Sequence, residues 1–237
     1  MNYYPDNTLT TYSTKLAQPV DLDGSWEVGL AEIQYPRSWY NVRSAEAWMS
    51  VRKRPEKIAV AMRLKPGYYP SMKKLLKVID HKAQNIDGNE NWLTIIQDDV
   101  THRVKIILKT NYEISLSPAL QTILGFDKTY YAAGMHIADH VADLHQGFYS
   151  LYVYCPVVEP RMVGDAFVPL LREIAVEGNS GDVITKTFEK IHYIPLQHRR
   201  FETLDICIRD DTGKPVPFEW GKVVVTLCFR RRSLKHL

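Results

Sequence analysis

Histidine and aspartate residues, which can ligate metals, are concentrated in one short segment, MHIADHVADLHQG, at residues 135–147. On a helix, His136 and His140 would share one face at the i, i+4 spacing, with Asp139 and Asp143 beside them. The order His-x-x-Asp-His is similar to inverted metalloprotease motifs, in which Glu stands at the position of Asp139. These four residues are the candidates that the spacing offers for a metal site.

The alternative interpretation of this segment is a solvated loop between a helix and the next strand. We favour the loop because the general base would be Asp where the protease motif has Glu, and because no distant further ligand can be identified. We therefore expect neither a metal ion nor another cofactor.

The three cysteines offer a second kind of reactive group. Cys155, Cys207 and Cys228 lie in strand-like runs, without an adjacent histidine or a basic helix N-terminus that would lower the pKa of a thiol. We predict inert thiols rather than nucleophiles. An odd count with no paired spacing also argues for a reducing compartment and against a disulfide framework.

Other catalytic signatures are missing from the sequence. There is no Gly-x-Ser-x-Gly elbow and no dinucleotide fingerprint. Gly213-Lys214 and Gly221-Lys222 are followed by Pro and Val, so neither pair completes a P-loop. We therefore expect no catalytic residue and a protein that is not an enzyme.

Charge is nearly balanced over the 237 residues, with a formal net charge of +3, which is low for a nucleic-acid-binding domain. The C-terminus is the exception, because Arg230, Arg231, Arg232 and Lys235 lie within the last eight residues. Two interpretations stay open for this basic tail. It is either a solvated terminus or an arm that contacts a polyanion or an acidic neighbour.

The elements that would position these residues are mainly strands. Short alternating runs recur along the chain and are separated by turn residues, as in a sandwich or barrel. The clearest run is 102–109, in which Val104, Ile106 and Leu108 share one face. The predicted strands are 8–16, 26–33, 57–65, 92–97, 102–109, 149–155, 186–194, 203–209 and 222–230. The sequence therefore predicts one all-β domain.

Two short helices are predicted between strands, as decorations of connecting loops. The first covers 71–82, where apolar residues recur at helical spacing. The second begins after Ser117, which can cap the helix, and ends at Gly125.

Aromatic residues are abundant, and their distribution suggests two roles. Trp26 begins an alternating run with Val28 and Leu30, so we predict that it anchors the core. Tyr3, Tyr4, Trp39 and Tyr40 crowd the N-terminal region, and tyrosine and tryptophan often anchor interfaces, so these four are the candidate interface aromatics.

Targeting signals are also missing. The N-terminal residues lack the charged and apolar regions of a signal peptide, no apolar run is long enough to span a membrane, and no N-glycosylation acceptor is present. We expect a soluble intracellular protein with no membrane partner.

Three long blocks carry a resemblance to a known family, the penton proteins of Polinton (Maverick) elements and adintoviruses. The first resembles their N-terminal segment, the second their middle strand and the following loop, and the third their last three strands. The blocks are NYYPDNTLTTYSTKLAQPVDLDGSWEVGLAEIQYPRSW, SLYVYCPVVEPRMVGDAFVPLLREI and YIPLQHRRFETLDICIRDDTGKPVPFEWGKVVVTLCFRR.

The resemblance implies a single jelly-roll domain over residues 1–237, built from two antiparallel four-stranded sheets, with a short N-terminal arm and a basic tail at 230–237. It implies a structural minor capsid protein without catalytic residues. Five copies would surround each fivefold vertex of an icosahedral virion, beside a double jelly-roll major capsid protein. The shell would assemble inside the host cell, and the tail would suit an inner face near packaged DNA.

Three other readings remain at this stage. One is a lectin-like or trimeric jelly-roll binding module, which the missing signal peptide, disulfides and glycosylation sites disfavour. Another is a cupin-type metalloprotein, whose ligands would lie on strands, whereas most histidines here are predicted in turns. The last is a captured, host-encoded descendant of a capsid gene.

Overall fold

The computed structural model describes residues 4–43, 46–87 and 91–232. These residues form seventeen strands and two helices, and the strand pairs are antiparallel. Among the described helices, none is long and apolar enough to cross a membrane. In chain order the elements are β1 Thr11–Asp21, β2 Trp26–Pro36, β3 Trp48–Lys53, β4 Val60–Arg63, α1 Met72–Asp87, β5 Leu93–Gln97, β6 Val104–Leu108, β7 Tyr112–Leu116, α2 Pro118–Leu124, β8 Tyr130–Tyr131, β9 Gly134–Ile137, β10 Ser150–Tyr154, β11 Arg161–Val163, β12 Ala166–Val168, β13 Leu170–Ala175, β14 Val183–Thr187, β15 Ile194–Pro195, β16 Arg200–Arg209 and β17 Val224–Arg231.

The contacts group the described residues into two compact units. Unit 1 contains the chain up to Trp39 and from Phe148 onward, and unit 2 contains residues 40–147. Each unit has its own cluster of buried apolar residues. The assignment of residues 1–237 to a single jelly-roll domain stays a prediction.

Unit 1 contains two four-stranded sheets and the small hairpin β11–β12. The strand order of the first sheet is β1-β16-β10-β13. In the second sheet, β2 is central: β14 and β15 pair with it in separate registers, and β17 pairs with it too. A core cluster with residues from both sheets includes Val28 and Leu30 of β2 and Val153 of β10, all fully buried.

The core prediction for Trp26 is wrong. Trp26 is only partly buried and is in neither core cluster, whereas Val28 and Leu30 are fully buried. The indole N–H donates to the carbonyl oxygen of Asp23 at 2.8 Å. This local bond holds the ring at the end of β2, where it lies 5.9 Å from the Arg231 guanidinium. The burial phase of β2 therefore starts at Val28.

Unit 2 contains a four-stranded sheet in the order β4-β3-β7-β8 and a three-stranded sheet in the order β5-β6-β9. Helix α1 buries Leu75 and Ile79 in the unit 2 core. It runs beyond the predicted 71–82 and is part of a packed core, not a loop decoration. Trp92 is nearly fully buried, stacks on Tyr112 at 5.0 Å and donates its indole N–H to the carbonyl oxygen of Ala83.

The capping predicted for the second helix is confirmed. The Ser117 hydroxyl accepts a hydrogen bond from the Leu120 N–H, and Pro118 is the first helical residue. Gly125 ends α2 with a φ of +81°, a left-handed conformation that favours glycine. A Cβ at Gly125 would lie 2.3 Å from the carbonyl oxygen of His140, so the close approach also requires glycine.

Most predicted strands are present with shifted ends, but the run 186–194 is not one strand. The chain there is β14, which ends at Thr187, followed by β15, which begins at Ile194, and both strands pair with β2. Between them, the Phe188 ring stacks on the Arg172 guanidinium at 3.6 Å. The pattern also missed several strands, among them β3, β7, β9 and β13.

Candidate interaction surfaces

The histidine-rich segment is not helical. His136 lies in strand β9, and its Nε2 is 2.7 Å from the carbonyl oxygen of Ala132. His140 lies in the following bend, and its Nε2 is 3.0 Å from Asp127 Oδ1. Because the strand ends between them, the two histidines do not share a helical face, and the premise of the metal candidate is wrong.

The two aspartates of that candidate accept hydrogen bonds from the backbone. Asp139 Oδ2 accepts from the Asp127 N–H at 3.0 Å, and Asp143 accepts from the N–H groups of His145 and Gly147. Over the described ranges, no group of three or more His, Cys, Asp or Glu residues has the arrangement of a metal site. These hydrogen bonds indicate that the two aspartates stabilise the conformation of the loop.

Cys155 does not have the environment of a nucleophile. Cys155 is fully buried, and burial raises the pKa of its thiol to about 11. A nucleophile requires the opposite shift, because the thiolate is the reactive form. Cys207 and Cys228 are partly buried.

The sequence analysis missed a buried carboxylate in unit 2. Glu113 of β7 is only 3% exposed and forms ion pairs with Arg52 and Arg54. Hydrogen bonding from Arg52, with smaller contributions from Tyr130 and Arg54, lowers the pKa of Glu113 and outweighs the opposite effect of its burial. The sequence around Glu113 gives no sign that this side chain is buried. Its burial is possible because Arg52 and Arg54 compensate its charge. The two ion pairs indicate that the Glu113 carboxylate has a structural role.

The ordered strand at the basic C-terminus extends further along the chain than predicted. β17 continues through Arg231, which pairs with Trp26. Arg230 donates to Glu27 Oε1 at 2.5 Å and stacks on the Tyr193 ring at 3.6 Å. The N–H of Arg232 donates to the carbonyl oxygen of Ser25 at 2.9 Å. Lys235 lies outside the described residues.

The four candidate interface aromatics have different environments. Trp39 is only 5% exposed and contacts Phe148 and Phe218 edge-on, so it is a core residue and its prediction as an interface aromatic is wrong. Tyr40 is 36% exposed. The hydroxyl groups of Tyr4 and Thr203 are 3.0 Å apart. Tyr3 lies outside the described residues.

Unit 1 has a more pronounced candidate surface, which the sequence analysis did not identify. Its two sheets are open along one side, where β17 lies opposite β1 and β16. We call this opening the seam; its cleft has a volume of about 420 Å³. Its lining residues are mainly apolar and come from β1, β16 and the region of β17: Tyr12, Thr14, Leu204, Ile206, Val223, Val224, Val225, Leu227 and Phe229.

Burial changes sharply between neighbouring strands at the seam. Val28, Leu30 and Ile33 of β2 are fully buried, whereas Val225 and Leu227 of β17 are only partly buried. β1 and β17 are also terminal strands of their sheets in the described pairing. Unpaired edges beside partly covered apolar residues are typical of surfaces that contact another chain.

One polar group in the seam lacks a partner. The Tyr12 hydroxyl is buried and has no hydrogen-bond partner among the described residues. Burial, with a smaller contribution from Cys155, raises the pKa of Tyr12 to about 12, so the hydroxyl stays neutral. An unsatisfied buried hydroxyl costs about 1–3 kcal/mol.

Comparisons with known proteins identify the fold. No protein-family model matches the chain, and no curated protein matches it by sequence. Among solved structures, the chain is similar to the crystal structure of the mavirus penton protein, with a TM-score of 0.51 and 11% sequence identity. The match covers 92% of this chain and 90% of that chain. The predicted fold class, an all-β jelly roll of antiparallel sheets with short helices, is therefore confirmed: the chain has a penton-like jelly-roll fold.

Proposed function

We propose that this protein is a structural minor capsid protein, a penton, without enzymatic activity. The observation that carries the proposal is the likeness in fold to the mavirus penton protein over nine-tenths of both chains. Five copies would form a ring at each fivefold vertex of an icosahedral virion, beside a double jelly-roll major capsid protein. The resemblance of the three sequence blocks to Polinton and adintovirus pentons supports the same role.

The surfaces of unit 1 are compatible with such a ring. A fivefold ring needs two different, complementary surfaces on each copy, because every contact is head-to-tail. The seam supplies one surface at the β1 and β17 edges. The opposite edges of the same sheets are β13 and the strand line of β14 and β15, where Val183 is 57% exposed. We propose that the seam of one copy contacts this opposite edge of the next.

The expected result for the purified protein is a species of five copies. Mass photometry and negative-stain microscopy would measure it, first for the protein alone and then with a co-expressed double jelly-roll major capsid protein. A specific interface usually buries about 1,200–2,000 Å² in total. If the contact between two copies buries less than this, the ring would be too weak to form alone and would form only within the shell. A monomer or a stable trimer under both conditions would contradict the proposal, and the trimer would favour a binding module.

The basic tail is the part of the chain that we propose faces packaged DNA. Arg230 forms an ion pair with Glu27, so we assign the DNA contact to the charges of Arg231 and Arg232 and to Lys235, which lies outside the described residues. Five tails in one ring would act together and multiply a weak contact.

Replacing Arg231, Arg232 and Lys235 with serine should weaken DNA retention by pentamers and flatten its salt dependence, because fewer counterions would be released. Retention would be measured with double-stranded DNA at two salt concentrations. The control replaces Lys65, Lys109 and Lys128 with serine, which removes the same charge from exposed positions of unit 2. Equal losses in the two variants would show a net-charge effect and would contradict a DNA-facing tail.

A further inference from the structure

A small pocket lies in unit 2 on one face of the sheet β4-β3-β7-β8. Met49 and Val51 of β3 and Leu116 of β7 point into the unit 2 core, so the alternate residues of these strands form the opposite face. The pocket is on that opposite face and has a volume of about 220 Å³. Its lining is mainly polar and consists of Ser50, Arg52, Lys57, Ala59, Glu113, Ile114, Ser115 and Tyr130.

The strand register places three hydroxyl groups in a row across this face. Ser50 of β3 is paired with Ser115 of β7, which is paired in turn with Tyr130 of β8. Directly opposite residues project to the same face, with Cβ atoms about 4.5–5.5 Å apart. The hydroxyl groups of Ser50 and Ser115 have no hydrogen-bond partner among the described residues. Both can therefore donate to a ligand in the pocket.

The neighbouring row of the same face carries the charge. Arg52 is paired with Glu113, and its Nε donates to Glu113 Oε2 at 2.8 Å. Arg54 forms a second ion pair with this carboxylate. Lys57 lines the pocket, is exposed and forms no ion pair with a described residue. Glu56 precedes Lys57 but does not line the pocket. Three cations against these two carboxylates leave the balance positive.

We propose that this pocket binds a phosphate group, either of a nucleic-acid backbone or of a small free phosphate. The hydroxyl groups of Ser50 and Ser115 donate to its oxygens, and the Lys57 ammonium compensates its charge. Arg52 adds a second positive charge, and Glu113 is a positioning residue because its ion pair holds Arg52 at the pocket. This site does not depend on the penton function.

The arrangement of the donors favours a phosphate over a carboxylate. The donors come from three segments of the chain: β3, β7 and the segment between β3 and β4 that contains Lys57. A phosphate group presents several acceptor oxygens in different directions, so it can face all three segments at once. The two oxygens of a carboxylate lie in one plane and cannot do so with good hydrogen-bond geometry.

The first measurement is isothermal titration calorimetry of the full-length protein with inorganic phosphate at constant ionic strength. Acetate at the same ionic strength is the comparison, because it is an anion that lacks the tetrahedral oxygens. We expect saturable binding of phosphate and binding of acetate that is about tenfold weaker or less.

The protein variants separate hydrogen bonding from net charge. Ser50→Ala/Ser115→Ala leaves the charge unchanged and should weaken phosphate binding about fivefold or more, because two hydrogen bonds are lost. Thr94→Val, which removes an exposed hydroxyl of β5 outside the pocket, is its control. Lys57→Gln should weaken binding about fivefold, equivalent to about 1 kcal/mol, whereas Lys57→Arg should retain it. Lys65→Gln removes an exposed lysine outside the pocket and should bind like the unmodified protein.

A fluorescent oligothymidylate distinguishes the two sources of the phosphate group. Its binding to each variant would be measured by fluorescence anisotropy. If Ser50→Ala/Ser115→Ala weakens oligothymidylate and inorganic phosphate alike, the ligand is a nucleic-acid backbone. If this variant weakens only inorganic phosphate, the ligand is a small free phosphate.

Four results would overturn the proposal. They are the absence of measurable phosphate binding, equal affinity for acetate and phosphate, unchanged phosphate binding by Ser50→Ala/Ser115→Ala, and equal losses for Lys57→Gln and Lys65→Gln. The last two would indicate a general electrostatic attraction instead of a site. Circular dichroism checks folding, and the exposed position of Lys57 keeps the charge test valid if the serine variant does not fold.

Discussion

Replacement of Trp39 with alanine is expected to lower the free energy of unfolding by about 3–5 kcal/mol. The indole is almost fully buried in unit 1, with ring centroids 5.0 Å from Phe148 and 5.8 Å from Phe218, both in edge-on geometry. Alanine would leave a cavity between these rings, and the loss of aromatic pairing adds to the loss of buried apolar area. The measurement is chemical denaturation followed by far-UV circular dichroism.

The control is Trp26→Ala, which removes the same side chain from a partly exposed position. Its loss should be about 1 kcal/mol, because the indole N–H bond to Asp23 is replaced by solvent and little core area is lost. Trp39→Phe should retain much of the stability, since an aromatic ring stays against Phe148. A larger loss for Trp26→Ala than for Trp39→Ala would contradict the assignment of the core.

The contrast between these tryptophans shows where sequence patterns succeed and fail. The alternation of β2 correctly placed Val28 and Leu30 in the core, but it could not show where the facing sheet, β1-β16-β10-β13, stops covering the strand, which decides the burial of Trp26. Trp39 follows Pro36 in a segment without clear periodicity. Its burial depends on Phe148 and Phe218, more than one hundred residues away in the chain, and no local pattern records such a contact.

Local chemistry predicted other features correctly. The capping of α2 by Ser117 and Gly125 depends on bonds within one turn, so the sequence contains all of its determinants. The all-β class also followed, because strand alternation recurs along the whole chain, whereas the jelly roll was implied by the resemblance of the three sequence blocks. The division into two units did not, since each core is assembled from strands that are distant in sequence. Likewise, the seam arises because β1 and β17 are the terminal strands of their sheets in the described pairing, and no sequence pattern shows which strands are terminal.

A charge placed in the seam should have the largest effect on assembly. Val224 of β17 lines the seam and is 51% exposed, so Val224→Asp should not disturb the core of the isolated chain. If a neighbouring copy covers the seam, the new carboxylate would be buried without a partner, which costs several kcal/mol. The apparent affinity of the ring contact should fall about one-hundredfold or more, equivalent to about 2.7 kcal/mol.

Mass photometry over a concentration series would measure this loss, with the major capsid protein present if the ring forms only in the shell. The matched control is Val100→Asp, which introduces the same charge at a position of unit 2 that is 88% exposed and distant from the seam in sequence. Val224→Leu should assemble normally, because it keeps the apolar character of the surface. Pentamers of Val224→Asp at unchanged abundance would show that the seam is not the contact between copies, and the ring would then have to use other edges of unit 1 or surfaces of unit 2.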